Sequence, residues 1–143
     1  MRRGEVFSLH WRDVNWNAKT ITVQGDGSKT SQTRVMPMNE PLHEALDKWH
    51  QQADETTGLV FPGRRGERFD NIKKSWDALR RKCGLESIKF KDFRSDFGSR
   101  LANNGVDLAV TQRLLGHSSP VVTMRYYISI QDQTMRDAVS TVI

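Results

Sequence analysis

The sequence predicts a mostly α-helical chain with one small antiparallel β-sheet, an α+β fold in a single domain over residues 1–143. Three observations carry this expectation. Two alternating runs flank a glycine-rich turn cluster near the start. A succession of later segments then pairs capping residues with apolar positions at helical spacing. Leu, Ile, Val and Phe total 33 of 143 residues, enough for a packed core.

The elements follow in order. Val6, Phe7 and Leu9 are apolar with no N-cap before them, so the chain reads as opening inside a helix, with Met1 an internal residue. Leu9 to Trp16 shifts toward strand or turn. Lys19-Thr20-Ile21-Thr22-Val23 and Thr33-Arg34-Val35-Met36-Pro37 are the alternating runs, and Gln24 to Ser28 is the turn cluster between them. Asn39 is a cap for a helix carrying Leu42, Ala45, Leu46, Trp49 and Ala53 on one face, ended by Thr56-Thr57-Gly58. Leu59 to Gly63 is a short buried link. Asp70 is placed to cap the next helix, with Ile72, Trp76, Leu79 and Cys83 inward and Gly84 just past its end. Phe93, Phe97 and Leu101 mark another helix, ending at Asn103-Asn104-Gly105. Asp107 caps one with Val110, Leu114 and Leu115 inward and Gly116 closing it. Ser119-Pro120 starts a further one, and Ser129 to Asp132 resembles a capping box for the last.

Composition excludes several classes. The single cysteine, Cys83, reads as core and allows neither an internal disulfide nor a cysteine-based zinc site. His43 and His50 share a helix face but have no third ligand, and neither a nucleotide loop nor a metal motif is present. No apolar run reaches membrane-span length. The net charge of +5 is concentrated: residues 64–100 carry 12 basic and 6 acidic side chains, while the flanking segments are close to neutral. Arg64, Arg65, Lys73, Lys74, Arg80, Arg81 and Lys89 are candidates for tracking the phosphates of a nucleic acid.

Three segments stand out: Arg2-Arg3-Gly4-Glu5 leading into Leu9 to Val14; Lys91-Asp92-Phe93-Arg94; and Leu114-Leu115-Gly116-His117-Ser118-Ser119, with Tyr126 nine residues after His117. With the hairpin segment Ser28-Lys29-Thr30 between the strands, this order and spacing resembles the catalytic domain of the tyrosine recombinase (phage integrase) family, from Arg2 to about Val139. The resemblance implies site-specific cleavage and rejoining of DNA through a 3′-phosphotyrosyl bond. Arg2 and Arg94 fall at the family's two catalytic arginines, Lys29 at its hairpin lysine, the general acid for the departing 5′ hydroxyl, and His117 at its Leu-Leu-Gly-His histidine. Tyr126 falls at the nucleophile. Lys91 departs from the family, standing where His-x-x-Arg has its histidine, and is expected to act as a third phosphate-clamping cation. Ser95 also departs, where many members carry a second histidine.

Physical chemistry accounts for these residue types. Planar guanidinium groups clamp non-bridging phosphate oxygens bidentately, which lysine does not reproduce. A tyrosine hydroxyl is a weak nucleophile until cations or a base assist it. Tyr127 is a rival to Tyr126, but helix neighbours point about 100° apart, so only one faces the phosphate. Glu5 is expected to buttress the arginine cluster. The resemblance further implies no metal or nucleotide cofactor, double-stranded DNA as partner and a homotetramer on it for the full-length protein. It places the chain in a prokaryotic cytoplasm with no membrane association. An N-terminal DNA-clamping domain is expected to be missing. Residues 129–143, with Ile130, Met135, Ala138 and Val139 apolar, are expected to dock in cis or on a neighbouring protomer. A type IB topoisomerase-like enzyme and a non-catalytic DNA-binding remnant are the competing readings.

Overall fold

The computed structural model describes residues 1–25, 33–53, 58–69, 71–127 and 139–140. The chain divides into two compact units, Met1–Asp92 and Phe93–Ile143. The mostly helical fold with a small antiparallel sheet matches the expectation.

The first unit opens with α1 (Arg3–Phe7), followed by a single 3-10 turn at Trp11–Asp13. The sheet comprises β1 (Val14–Asn15), β2 (Thr20–Val23) and β3 (Arg34–Pro37), antiparallel in the order β1-β2-β3. Val14 pairs with Ile21 and Ile21 with Met36, which fixes which side chains share a face. Ile21 and Val23 point into the core, and on β3 Arg34 and Met36 are the more buried pair while Val35 is exposed. Leu9, Trp11, Val14, Ile21, Val23, Met38, Leu46 and Val60 form the core cluster. The link at 58–63 is sewn to the first turn by Val60 N–H donating to the Leu9 carbonyl at 2.8 Å and Trp11 N–H to the Gly58 carbonyl at 3.0 Å. Trp49 adds an indole N–H bond to the Val60 carbonyl at 2.6 Å.

Two helices complete this unit, and both depart from expectation. In α2 (Glu40–His50) the Asn39 cap is as expected, its Oδ1 accepting from Leu42 N–H at 3.1 Å. The helix stops before Ala53, however, and only Leu46 of its predicted face is buried; Leu42 and Trp49 are largely exposed. His43 and His50 do share a face, on which they pack edge-on against Trp16 and Trp11 respectively.

The helix α3 (Lys73–Lys82) begins at an Ile72 cap position rather than at Asp70, which lies outside the described residues. Asn71 Oδ1 accepts from Lys73 N–H at 2.8 Å there. None of its residues is buried: Leu79 is 53% exposed, and Cys83 is exposed rather than core. The helix is held through its Trp76 ring against Phe90 and through Arg80. Lys29 and the tip of the hairpin lie outside the described residues.

The second unit holds α4 (Asp92–Asn103), which begins at the last residue of the first, then α5 (Leu108–Leu115) and α6 (Pro120–Met124). Three caps are as expected. Asp107 Oδ1 accepts from Ala109 N–H at 2.7 Å and from Val110 N–H at 3.3 Å, and Ser119 Oγ accepts from Val121 N–H at 3.3 Å. Gly116 ends α5 at φ +65°, a left-handed conformation that a side chain would strain. The buried faces differ from expectation. Phe93 and Phe97 are exposed, and Gly98 is the buried residue of α4. On α5 Leu115 is buried as expected, but Val110 faces outward and Thr111 joins Leu115 on the inner side. Of the expected last helix only Val139 and Ser140 are described; both are helical and exposed, and Ile130, Met135 and Ala138 lie outside the described residues.

Candidate active site

In the first unit, the start of α1 sets up a carboxylate between two guanidinium groups. Glu5 Oε2 accepts from the Arg2 backbone N–H at 2.6 Å, and Oε1 from Arg2 Nη1 at 3.1 Å. Arg34 grips the same carboxylate bidentately, Nη1 to Oε1 at 3.1 Å and Nη2 to Oε2 at 2.9 Å. Both side chains of the Arg34–Glu5 pair are largely buried, 13% and 9% exposed. Burial raises the Glu5 pKa. The Arg34 hydrogen bonds, the Arg2 N–H and the two positive charges outweigh it and hold the group at about 2. Glu5 is thus the expected buttress, and it orients Arg2.

Arg34 stands in an alternating run of the sequence, which assigns it no role. Period-two alternation, which puts Arg34 on the side of Met36, was the signal available for it.

Lys91 is exposed just before α4, with Lys89 N–H donating to Asp92 Oδ2 at 2.8 Å beside it. Arg64, Arg65, Lys73, Lys74, Arg81 and Lys89 are exposed. Arg80 is engaged internally: its guanidinium bonds the carbonyls of Glu86 and Ile88 and pairs with Asp77 at 2.8 Å. It ties α3 to the following turn, so it is removed from the surface cations.

The second unit brings Arg94, His117 and Tyr126 together. Arg94, on the first turn of α4, donates from Nη2 to the carbonyl of Leu115, the last residue of α5. It does not pair with Asp96, which instead bonds Arg100 at 2.8 Å. The left-handed Gly116 then turns the chain, and His117 N–H donates to the Gln112 carbonyl at 3.1 Å. Gln112 Nε2 returns a bond to the His117 carbonyl at 3.0 Å. The His117 backbone is therefore held from both sides.

Its ring is held as well, with Nδ1 2.9 Å from Thr123 Oγ1. The Tyr126 ring lies parallel to the imidazole, at 7° and 6.3 Å between centroids. On its other contact the Tyr126 ring rests against α4 at Gly98, where a Cβ would lie 2.9 Å from Cζ and 3.0 Å from each Cε.

The rival tyrosine is tied down. Tyr127 Oη donates to the Val106 carbonyl at 2.5 Å and lies 2.6 Å from Thr111 Oγ1, a hydroxyl buried completely. This pair of bonds gives Tyr127 an anchoring role. Thr111, Thr123 and Gly98 were all missed from sequence, because a threonine or glycine within a helix carries no motif signal by itself.

The sequence pattern of the Phage integrase family matches residues 1–133. The chain belongs to that family. Tyrosine recombinase XerC of Corynebacterium glutamicum is 29% identical over 143 residues, covering 96% of this chain and 45% of the relative. Tyrosine recombinase XerD of Vibrio cholerae is 28% identical, covering 88% and 44%. The chain spans about half the length of the curated relatives it matches. Among solved structures, the XerA recombinase superposes with a TM-score of 0.76 at 27% identity, over 98% of this chain and 51% of that one. The Tn1549 transposon integrase, in complex with a circular intermediate DNA, gives 0.84 at 18% identity, over 100% and 55%, a likeness of fold.

Proposed function

We propose that this chain is the catalytic part of a site-specific recombinase that cleaves and rejoins duplex DNA through a 3′-phosphotyrosyl bond. One observation carries the reading: Tyr126 lies along His117, while the neighbouring Tyr127 is anchored through its hydroxyl to Val106 and Thr111. Tyr126 gives its hydroxyl proton to water as its oxygen attacks phosphorus, the P–O5′ bond breaks, and the leaving 5′ oxygen takes a proton from Lys29. Attack by a 5′ hydroxyl on the phosphotyrosine reverses the step and regenerates Tyr126. The ester's energy is retained in the covalent bond, so the step needs no nucleotide.

Arg94 and His117 supply donors to the phosphate oxygens, where each well-aimed donor is worth about 3–4 kcal/mol in the transition state. Arg2 takes a phosphate-clamping role by correspondence with the family, Lys91 takes another as a cation in place of the family's histidine, and Glu5 with Arg34 keeps Arg2 oriented. Arg64, Arg65, Lys73, Lys74, Arg81 and Lys89 follow the DNA backbone. The full-length protein works as a homotetramer on two duplexes, in the cytoplasm; among the described residues no helix is long and apolar enough to cross a membrane.

Covalent capture tests this reading. The chain is incubated with a pool of nicked, randomised duplexes, and denaturation-resistant adducts are sequenced and mapped by peptide. The expected result is a defined DNA site and an adduct on Tyr126, lost in Tyr126→Phe. Salt-sensitive binding without any adduct would leave only the DNA-binding remnant.

A further inference from the structure

Thr123 is completely buried, yet its side chain is polar. It sits on α6 three residues before Tyr126, whose backbone N–H donates to the Thr123 carbonyl at 3.0 Å. Its hydroxyl reaches across to His117 Nδ1 at 2.9 Å. One residue therefore touches both members of the stacked pair, the tyrosine through its main chain and the histidine through its side chain.

The direction of the hydroxyl bond decides what His117 can do. A hydroxyl has a single proton to donate, and a buried donor left without an acceptor is costly. The side-chain acceptor in reach of Thr123 Oγ1 is Nδ1. If the hydroxyl donates, Nδ1 is unprotonated, and the ring proton of neutral imidazole sits on Nε2. The opposite arrangement, Nδ1–H donating to Oγ1, would leave the threonine proton buried with no partner at that bond. We infer that Thr123 is a positioning residue that holds neutral His117 as its Nε2–H tautomer, a hydrogen-bond donor toward a phosphate oxygen.

This deepens the proposed reaction and rests on it for the phosphate. In this tautomer His117 does not accept the Tyr126 proton; it gives a hydrogen bond where negative charge gathers, and the tyrosine proton passes to water. The tautomer itself is a property of the chain alone, readable without DNA.

Nitrogen-15 NMR of the chain at neutral to mildly alkaline pH separates the two tautomers. The His117 signals are identified by their loss in His117→Gln. The expected wild-type result is a pyridine-like Nδ1 and a protonated Nε2; a protonated Nδ1 overturns the inference directly. Thr123→Val keeps shape and the backbone bond to Tyr126 but removes the hydroxyl, and it should return His117 to a mixture. Thr123→Ser should keep the single tautomer. Adduct formation under single turnover should fall about 10–100-fold in Thr123→Val at saturating DNA, with duplex affinity unchanged and with rescue in Thr123→Ser. A wild-type chain that forms no adduct defeats the proposed reaction but leaves the NMR result to judge Thr123. A wild-type chain that cleaves, beside a Thr123→Val that cleaves equally with one unchanged tautomer, defeats the Thr123 role alone.

Discussion

Replacing Gly98 by alanine puts a methyl group where the ring of Tyr126 lies. The added Cβ would sit 2.9 Å from Cζ and 3.0 Å from Cε1 and Cε2, whereas ordinary contact begins at 3.4 Å. The ring must therefore retreat by about 0.5 Å, since the α4 backbone carrying the new methyl is fixed by its own hydrogen bonds. Two terms oppose each other in stability. Alanine is favoured over glycine inside a helix by about 1 kcal/mol, and overpacking of a fitted contact costs about 1–3 kcal/mol. The net loss should be about 0–2 kcal/mol, so the variant stays folded.

Catalysis should suffer more, because the displaced atoms include the ring carbon that bears the attacking oxygen. Misplacement of a reacting group by about 1 Å can cost about 100-fold, so a shift of half that size should slow adduct formation about tenfold or more. The assay is single-turnover cleavage at saturating DNA, beside thermal unfolding and duplex affinity. Folded Gly98→Ala protein that binds normally and forms adduct at the wild-type rate would refute the idea that Gly98 seats the nucleophile.

Other perturbations read the remaining contacts. Tyr127→Phe strands the Val106 carbonyl and the buried Thr111 hydroxyl, so thermal unfolding should report a loss of about 1–3 kcal/mol, with the adduct still mapping to Tyr126. Glu5 titrates at about 2 in the folded chain against an ordinary 4.5; its stabilisation, about 3 kcal/mol, is complete above pH 4.5 and is lost as pH falls toward 2. Denaturant unfolding across that window should show the decline, and Glu5→Gln should flatten it. Lys91→His should keep cleavage while Lys91→Ala loses it under single turnover; full activity in the alanine variant would remove Lys91 from the phosphate clamp. Arg94→Lys should slow the same reaction about 100-fold or more, because the lysine supplies neither the planar fork nor the bond to the Leu115 carbonyl.

Local chemistry made much of this fold legible in the sequence. Asn39, Asp107 and Ser119 cap helices through bonds to the next two or three residues, and Gly116 ends one by its own φ, so no distant contact has to be known. The β-branched alternation of Thr20 to Val23 likewise matched its burial. Of the candidate site, Glu5 was read as the support of the arginines from its place three residues after Arg2, a distance that one helical turn closes. What stayed illegible depends on contacts between elements. Arg34 meets Glu5 only because β3 lies beside α1's carboxylate. The inward faces of α3, α4 and part of α5 could not be taken from hydrophobicity: Leu115 is buried as read, but Leu79, Phe97 and Val110 are exposed.

That last pattern has a physical cause in the second unit. Threonine and valine have nearly the same shape, so a helix built only for stability would turn valine inward and threonine to water. Here α5 exposes Val110 at 48% and buries Thr111 at 0%; α6 exposes Val121 and Val122 and buries Thr123 at 0%. Burying a hydroxyl is unfavourable unless it is bonded, and both of these are: Thr111 to Tyr127 and Thr123 to His117. In each case the bond gained holds a residue next to or stacked on Tyr126. Positions where valine and threonine exchange their usual sides therefore mark the scaffold of Tyr126, the proposed nucleophile. Motif matching passes over them, since each is an ordinary residue whose significance lies only in which way it faces.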